Sequence, residues 1–323
     1  MTTADAIREK ATATGTSRGI MENGTSSGSS ATATTTVVNS TSPSLRKIDA
    51  KQNSQAPAAV LAPSGGSGED LYTICTHLSQ KVHRFLEADF SSELLKGVQR
   101  QTGISLGVVE EALRRYKLGN VSISFNGGKD CLVLLILFLA SLPPHLPSPA
   151  SGGNEGKINS VYVTTAHPFP QVDAFVQSCI TTYHLSLTRY SQPMKSSFER
   201  YLQENPNVQA IFVGTRRTDP HGEFLSHFDV TDHGWPNFMR VHPVVDWGYR
   251  EVWGFLRELQ VPYCVLYDMG YTSLGGTKDT HPNPALLEDG TEVQEGEGGE
   301  RKRRFRPAYE LVEDGQERLG RDR

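Results

Sequence analysis

The chain has 323 residues, which is enough for one large domain or two small ones, and 37% of them are hydrophobic. Its net charge of −4 gives no general attraction to nucleic acid. The longest apolar run, Cys131 to Leu142, is too short to span a bilayer, so we expect neither a nucleic-acid partner nor a membrane span.

Residues 1–68 are rich in Ser, Thr, Ala and Gly and contain few aromatic residues. Such a composition buries too little apolar surface to order a backbone, so we predict a disordered N-terminal extension. Order is predicted to begin near Asp70, because apolar residues from Leu71 to Leu86 recur at helical spacing. Ser91 or Ser92 is predicted to cap a second helix, and Val108 to Tyr116 to form a third, short one.

A strand, a glycine turn and a helix then follow one another directly. The strand is predicted at Val121 to Phe125, the turn at Asn126 to Asp130, and the helix at Cys131 to Leu142. Free backbone N–H groups at such a turn and the positive end of the helix dipole favour a phosphate, to which Lys129 is expected to add a mobile positive charge. It is not a Walker A loop, because Asp130 stands where that motif needs Ser or Thr. An ordinary strand-to-helix turn is the alternative.

Strands and helices alternate in the next hundred residues. Strands are predicted at residues 161–165, 185–190 and 208–214, and helices at 172–183 and 195–203. The alternation predicts an α/β fold of three layers, with a mostly parallel sheet and helices on both faces. Ligands of such sheets bind at the carboxyl ends of the strands.

One predicted strand end carries the charged sequence GTRRTDP, from Gly214 to Pro220. Arg216 and Arg217 suit a substrate with several phosphates, because guanidinium groups match phosphate oxygens. Asp219 is a candidate for holding Mg²⁺, directly or through water. The alternative is a helix-capping Asp beside solvated arginines.

Several longer motifs point to one family. The pattern S-x-x-G-G-x-D at Ser124 to Asp130 is similar to the pyrophosphate loop of the ATP-α-hydrolase superfamily. The further motifs are TDHGWP (231–236), MRVHP (239–243), PYC (262–264), GYTSLG (270–275), PAYEL (307–311) and ERLGR (317–321). Together they resemble the eukaryotic, fungal-type FAD synthases (FMN adenylyltransferases), which are PAPS reductase-like.

The resemblance implies an order of segments along the chain. Residues 69–287 would form the adenylyltransferase domain. Residues 288–304 depart from the shorter connection expected in this family, and their charged, glycine-rich composition predicts a flexible linker. Residues 305–323 would fold back over the nucleotide and bring Arg318 and Arg321 to it. A short chain of this kind is expected to be a cytoplasmic monomer with small-molecule substrates.

The resemblance also implies the reaction of ATP with FMN to give FAD and pyrophosphate, with Mg²⁺. Our candidates for catalysis are Asn126, Asp130, Asp219, Arg318 and Arg321, with Asp219 as the metal residue. Those for binding ATP and pyrophosphate are Ser124, Asn126, Gly127, Gly128, Lys129, Asp130, Val163, Gly214, Arg216 and Arg217. Those for the flavin are Asp232, Trp235 and Arg240.

Three other functions are open on the same motifs. A PAPS reductase needs a nucleophilic cysteine in its C-terminal segment, and Leu286 to Arg323 contains none. The four cysteines (Cys75, Cys131, Cys179 and Cys264) form no C-x-x-C pair, which counts against a tRNA-modifying thiolase or a zinc site and favours a reducing compartment. A non-catalytic nucleotide-binding module is the third. His167, His233 and His242 are expected to be structural.

Overall fold

A computed structural model of the chain describes residues 69–147, 156–288 and 304–322. The N-terminal extension predicted for residues 1–68 lies outside the described residues. So does the linker predicted for 288–304, apart from its first and last residue.

Within the described residues, six strands form one sheet, and five of them are parallel. The strands are β1 (Val121–Ser124), β2 (Ile158–Val163), β3 (Leu185–Tyr190), β4 (Ala210–Phe212), β5 (Phe228–Val230) and β6 (Met239–Val241). Their spatial order is β3-β2-β1-β4-β6-β5, and β5 pairs antiparallel with β6 at one edge. The predicted α/β class with a mostly parallel sheet is confirmed, whereas the hairpin of β5 and β6 was not predicted.

In the part of the chain that the structure describes, six α-helices accompany the sheet: α1 (Leu71–Glu87), α2 (Glu93–Arg115), α3 (Lys129–Ala140), α4 (Pro170–Thr182), α5 (Met194–Glu204) and α6 (Tyr249–Glu258). Ser92 caps α2 by accepting from the Leu95 N–H at 3.4 Å. The two helices predicted within this stretch are in fact one, because its buried residues continue along one face while Gly103 and Gly107 face solvent. None of the helices in the described ranges is both long and apolar enough to cross a membrane.

The helices lie on both faces of the sheet. Helices α1, α2, α3, α4 and α6 share one continuous core, whereas α5 packs through Phe198 and Tyr201 on a second cluster with Val161 and Ile211. The strand order explains this division: the chain moves from β1 to β3 in one direction and returns to β4 in the other, and right-handed crossovers therefore change face. Helix α3 is the centre of the larger core, since its residues from Cys131 to Ala140 are all buried.

The C-terminal segment (residues 304–322) runs back along residues 279–288. Antiparallel bridges join Leu287 to Phe305 and Thr280 to Arg321. Ala308 and Leu311 are buried in the main core, and the Tyr249 hydroxyl donates to the Ala308 carbonyl at 2.7 Å. The C-terminal segment therefore contributes residues to the main core.

Candidate active site

The glycine turn between β1 and α3 is held by the side chain of Asn126. Its Oδ1 accepts from the Gly128 N–H at 2.9 Å and from the Cys131 thiol at 2.9 Å. Gly127 has a φ of +78°, and a Cβ there would lie 2.8 Å from Val176 Cγ2. The turn thus requires glycine and leads directly into the N-terminus of α3, where the helix dipole favours an anion.

Gly214 brings the end of β4 against the first turn of α3. A Cβ on Gly214 would lie 2.8 Å from both the backbone nitrogen and the Cα of Cys131. In the structure, Gly214 therefore allows two backbones to approach closely. This contact lies beside the glycine turn (Asn126 to Gly128), which we call the phosphate turn. Its predicted contact with the nucleotide stays a prediction.

Four ionisable side chains meet behind the turn and form what we call the charge cluster: Lys129, Asp130, Arg216 and Glu317, of which Asp130 is 20% exposed and the other three are buried. Lys129 Nζ lies 3.0 Å from Asp130 Oδ2 and also bonds Glu317 Oε1. Arg216 Nε lies 2.7 Å from Asp130 Oδ1, and its Nη2 bonds Glu317 Oε2. Two cations and two carboxylates thus alternate around a ring.

The charges of this cluster depend on one another. Burial by itself opposes charge on Lys129 and Arg216, but Asp130 and Glu317 outweigh that effect and raise the pKa of both cations. Burial likewise opposes the ionised form of Asp130, and Lys129 and Arg216 outweigh it and lower its pKa. The charged forms of Lys129, Asp130 and Arg216 are therefore favoured by their neighbours in the cluster.

The expectation of a mobile Lys129 is wrong. Its side chain is 2% exposed, its Nζ lies 5.2 Å above the Tyr249 ring, and its backbone N–H donates to the Tyr267 hydroxyl at 2.8 Å. Arg216 is also fully buried. Neither side chain faces an open phosphate site in this structure, because the carboxylate of Glu317, from the C-terminal segment, binds both of them.

Arg217, by contrast, points away from the cluster. Its Nη2 lies 2.6 Å from Asp246 Oδ1, and its Nη1 donates to the carbonyls of Glu223 and Leu225 at 2.9 Å. The side chain thereby fixes the loop after β4. Its predicted contact with phosphate stays a prediction.

Asp219 is the partly exposed carboxylate of the site. Its Oδ2 accepts from the Arg216 N–H at 2.9 Å, and its Oδ1 lies 4.0 Å from Arg318 Nη1. Burial and the nearby Asp130 charge raise the pKa of Asp219. Asp219 also lines a cavity of about 590 Å³ with Arg217, His221, Glu223 and Phe224. The structure therefore brings the charged GTRRTDP sequence (Gly214 to Pro220) close to the C-terminal segment.

Arg321 occupies a separate place near the end of β2. Its guanidinium lies over Gly275, where no Cβ would fit, and its Nη2 is 3.6 Å from Asp279 Oδ2. The loop that carries Gly275 is bonded to the chain after β2, since the Thr277 N–H donates to the His167 carbonyl at 2.8 Å. Arg321 is thus brought towards the strand end that includes Val163.

The three predicted flavin residues belong to the hairpin of β5 and β6. Arg240 Nη1 lies 3.4 Å from Asp232 Oδ2, and Trp235 is 38% exposed. The register places Met239 beside Ala210 at the start of β4, whereas the phosphate turn follows the end of β1. The hairpin tip with Asp232 and Trp235 therefore lies at the opposite edge of the sheet from the phosphate turn, and the structure does not bring them into contact.

Two side chains between these edges contain buried nitrogen atoms that make no hydrogen bond. Within the described residues, Arg240 Nε and both ring nitrogens of His242 are buried without a hydrogen bond. Burial lowers the pKa of His242 to about 4, so its ring is neutral at pH 7. Arg240 pairs in register with Ile211, which belongs to the cluster of the α5 face. The described part of the chain contains no group of three or more His, Cys, Asp or Glu placed to hold a metal ion.

Glu317 is the residue of this site that the sequence did not single out. It stands directly before Arg318 in the ERLGR motif, in which the two arginines are the predicted site residues. The signal was the acidic residue within a basic motif, but the partners of Glu317 stand 188 and 101 positions away in the sequence.

Known proteins match the chain over most of its described length. The phosphoadenosine phosphosulfate reductase domain family matches residues 120–200 and 188–282. The probable FAD synthase of Schizosaccharomyces pombe is 42% identical over 244 residues, which is 75% of this chain and 87% of the relative.

Solved structures are similar as well. The FMN adenylyltransferase of Candida glabrata, in complex with FMN and the ATP analogue AMPCPP, has a TM-score of 0.71 at 28% identity and covers 80% of this chain and 99% of its own. Yeast FAD synthetase in complex with FAD has a TM-score of 0.70 at 28% identity, with 79% of this chain and 100% of its own covered.

Proposed function

The chain belongs to the phosphoadenosine phosphosulfate reductase domain family and, within it, to the FAD synthases, and we propose that it transfers AMP from ATP to FMN and releases pyrophosphate. Its reaction is that of a nucleotidyltransferase. The observation that carries the proposal is the phosphate turn before α3, next to which Asp219 and Arg318 stand 4.0 Å apart.

The reaction requires that the phosphates be positioned and their charge neutralised, rather than a strong general base. The FMN phosphate, already an anion, attacks the α-phosphorus of ATP in line, and pyrophosphate leaves from the opposite side. Catalysis then consists of holding the two phosphates in line and neutralising the charge that develops on them.

The residues divide these tasks by position. The backbone of Asn126 to Gly128 and the N-terminus of α3 would hold the leaving pyrophosphate, with Ser124 donating a hydrogen bond beside them. Asp130 would orient the turn through Lys129 and Arg216, to which it is bound. Arg318 and Arg321 would supply positive charge from the C-terminal segment, and Arg318 is 43% exposed and free to turn towards substrate.

Magnesium fits the donor set that Asp219 offers. Asp219 Oδ1 has a distant arginine at 4.0 Å, whereas Oδ2 accepts from backbone. Mg²⁺ keeps several waters and takes phosphate oxygens as ligands, so a single protein carboxylate is sufficient to hold it here. The ion, when bound, would neutralise phosphate charge.

The flavin would lie along the α5 face of β6. The buried Arg240 Nε without a partner and the neighbouring Asp232 are polar groups of the kind that read a pyrimidine edge, and Trp235 offers an exposed aromatic surface. An extended FMN would then run from the hairpin towards the phosphate turn.

The cytoplasmic location and the monomeric state stay predictions from the sequence.

A reductase function finds no support in the C-terminal segment. A PAPS reductase attacks its substrate with a cysteine, whereas residues 304–322 present arginines, and the cysteines of the described residues are buried. Burial also raises the pKa of Cys131, which lies in the first turn of α3, to about 12, so it is not a thiolate.

The direct test is an incubation with FMN, ATP and Mg²⁺, followed by separation of the flavins and assay of pyrophosphate. FAD and pyrophosphate should appear in equal amounts, and both should be lost in the Asp219→Ala and Arg318→Ala variants. Arg114→Ala is the matched control, because Arg114 is exposed and pairs with Glu111 on α2, on the face of the sheet opposite α5. A folded wild-type protein that makes no FAD would overturn the function.

A further inference from the structure

Two neighbouring residues of the C-terminal segment face in opposite directions. Glu317 is 7% exposed and points into the charge cluster, whereas Arg318 is 43% exposed on its side chain and lies near Asp219. The position of the Arg318 backbone is therefore fixed by what holds Glu317.

Both carboxylate oxygens of Glu317 are occupied. Oε1 accepts from Lys129 Nζ, and Oε2 accepts from Arg216 Nη2. The same two cations also hold Asp130, in the first turn of α3 after the phosphate turn. The C-terminal segment and the phosphate turn are thus tied to one pair of cations, and a displacement of one is transmitted to the other.

The segment has other anchors that do not use the Glu317 side chain. Asp314 Oδ2 accepts from the Tyr249 N–H at 3.0 Å, and the Gln316 carbonyl accepts from Asn283 Nδ2 at 2.8 Å. The Thr272 hydroxyl donates to the Glu317 carbonyl, a backbone bond, at 2.6 Å. A protein without the Glu317 carboxylate therefore keeps a route by which the segment stays attached.

From these contacts we propose that Glu317 is a positioning residue, whose carboxylate sets the place of Arg318 relative to the phosphates by binding Lys129 and Arg216. The inference rests on the proposed adenylyl transfer. It assigns Glu317 no contact with substrate and no proton transfer.

Glu317→Gln, with Glu313→Gln as control, tests the role. Glu313 is exposed and stands in the same segment, so its variant should behave like wild type. In Glu317→Gln we expect kcat to fall about 30- to 100-fold with the KM for ATP changed less than about 3-fold, since an interaction made in the transition state is lost. An unchanged kcat would overturn the proposal.

A double-mutant cycle separates positioning from charge balance. If Glu317 acts through Arg318, adding Glu317→Gln to Arg318→Ala should lower kcat by less than about 3-fold beyond Arg318→Ala alone. Effects that multiply would show that Glu317 acts independently of Arg318 and would overturn the proposal.

Amide hydrogen exchange measures how firmly the C-terminal segment is anchored and does not depend on enzyme activity. In Glu317→Gln, exchange should become faster in residues 125–131 and 314–322 together, and stay slow in residues 305–311, which are anchored in the core through Ala308 and Leu311. Unchanged exchange would show that the carboxylate does not join the two segments. A wild-type protein that makes no FAD would overturn the function and the role towards Arg318, whereas the exchange result would still decide whether Glu317 anchors the segment.

Discussion

At the scale of single residues, the protein contains buried ionisable groups and a close backbone contact that constrain its stability. Asp219 is a partly buried carboxylate whose pKa is raised by burial, so its charge is less favourable in the fold than in water. His242 is a buried imidazole whose ring nitrogens make no hydrogen bond within the described residues. Gly214 lets two backbones approach more closely than any side chain would permit. Each of these features can be tested by one substitution.

Asp219→Asn should make the protein inactive but no less stable. A carboxyl whose folded pKa is raised binds its proton better in the folded state, so stability is lost as pH rises through that pKa; the amide removes this loss and still accepts from the Arg216 N–H. We expect FAD formation to fall by about 100-fold or more. Thermal unfolding at pH 7 should show an equal or higher midpoint, with Asp173→Asn as control. A clearly lower midpoint would contradict the prediction.

Gly214→Ala should destabilise the protein, whereas Gly107→Ala should not. The new Cβ at position 214 would meet the Cys131 backbone at 2.8 Å, which predicts a cost of about 1–3 kcal/mol. Gly107 lies in α2 with nothing within 4 Å of its added Cβ, so alanine there should gain roughly 0.5–1 kcal/mol. Urea unfolding of the two variants measures both values. The same sign of change in both would count against the assigned role of Gly214.

His242 should make stability sensitive to mild acid. Because burial lowers its folded pKa to about 4 from 6.5, the unfolded chain binds a proton between these values that the folded chain does not. Stability should therefore fall as pH falls from 6.5, with a slope of up to about 1.4 kcal/mol per pH unit from this group. Comparing unfolding of wild type and His242→Asn at pH 7 and pH 5 isolates this part. Equal losses in the two proteins would refute it.

At the scale of elements, α3 and the C-terminal segment together build the site. Helix α3 is buried along nearly its whole length, so its first turn and the phosphate turn before it are fixed by the core. The C-terminal segment has little regular structure of its own, and its place is set by anchors on α6 and on residues 272–288. A segment held by separate anchors can be weakened at one of them without unfolding the rest.

Tyr249→Phe tests the anchor of this segment on α6. The substitution removes the hydroxyl that donates to the buried Ala308 carbonyl, and a lost buried hydrogen bond of this kind costs about 1–3 kcal/mol. Hydrogen exchange in residues 305–311 should become faster. Tyr263→Phe is the control, because the Tyr263 hydroxyl bonds Asp268 and not the segment. Equal effects of the two substitutions on residues 305–311 would contradict the assignment.

At the scale of the whole molecule, the sheet sets the distances over which the two substrates must meet. The phosphate turn, the loop with Asp219 and the chain after β2 lie at the carboxyl edge, while the tip of the β5–β6 hairpin lies at the other edge. The charge cluster at the carboxyl edge balances two cations with two carboxylates. Metal binding should therefore serve the substrates and leave the fold unchanged.

Chelation of Mg²⁺ should separate activity from stability. With EDTA in excess over the metal, FAD formation should stop, because the phosphates of ATP then lack their counterion beside Asp219. The thermal midpoint of the free protein should stay the same, since the charges of the cluster compensate one another. FAD formation that continues in EDTA would contradict the role of the metal.

The sequence by itself determined the local secondary structure of the chain and the family to which it belongs. Short stretches of sequence were enough to predict three features: the strand, glycine turn and helix around Asn126, the cap at Ser92, and the alternation of strands and helices that makes a parallel sheet. These features follow from backbone geometry and from the burial pattern of neighbouring residues. Only the tertiary structure decided that Lys129 is buried, that Gly214 touches α3, and that Glu317 completes the charge cluster. These depend on contacts between residues far apart in sequence, 188 positions in the case of Lys129 and Glu317, and a sequence pattern records which residues are present but not which of them the folded sheet and core bring together.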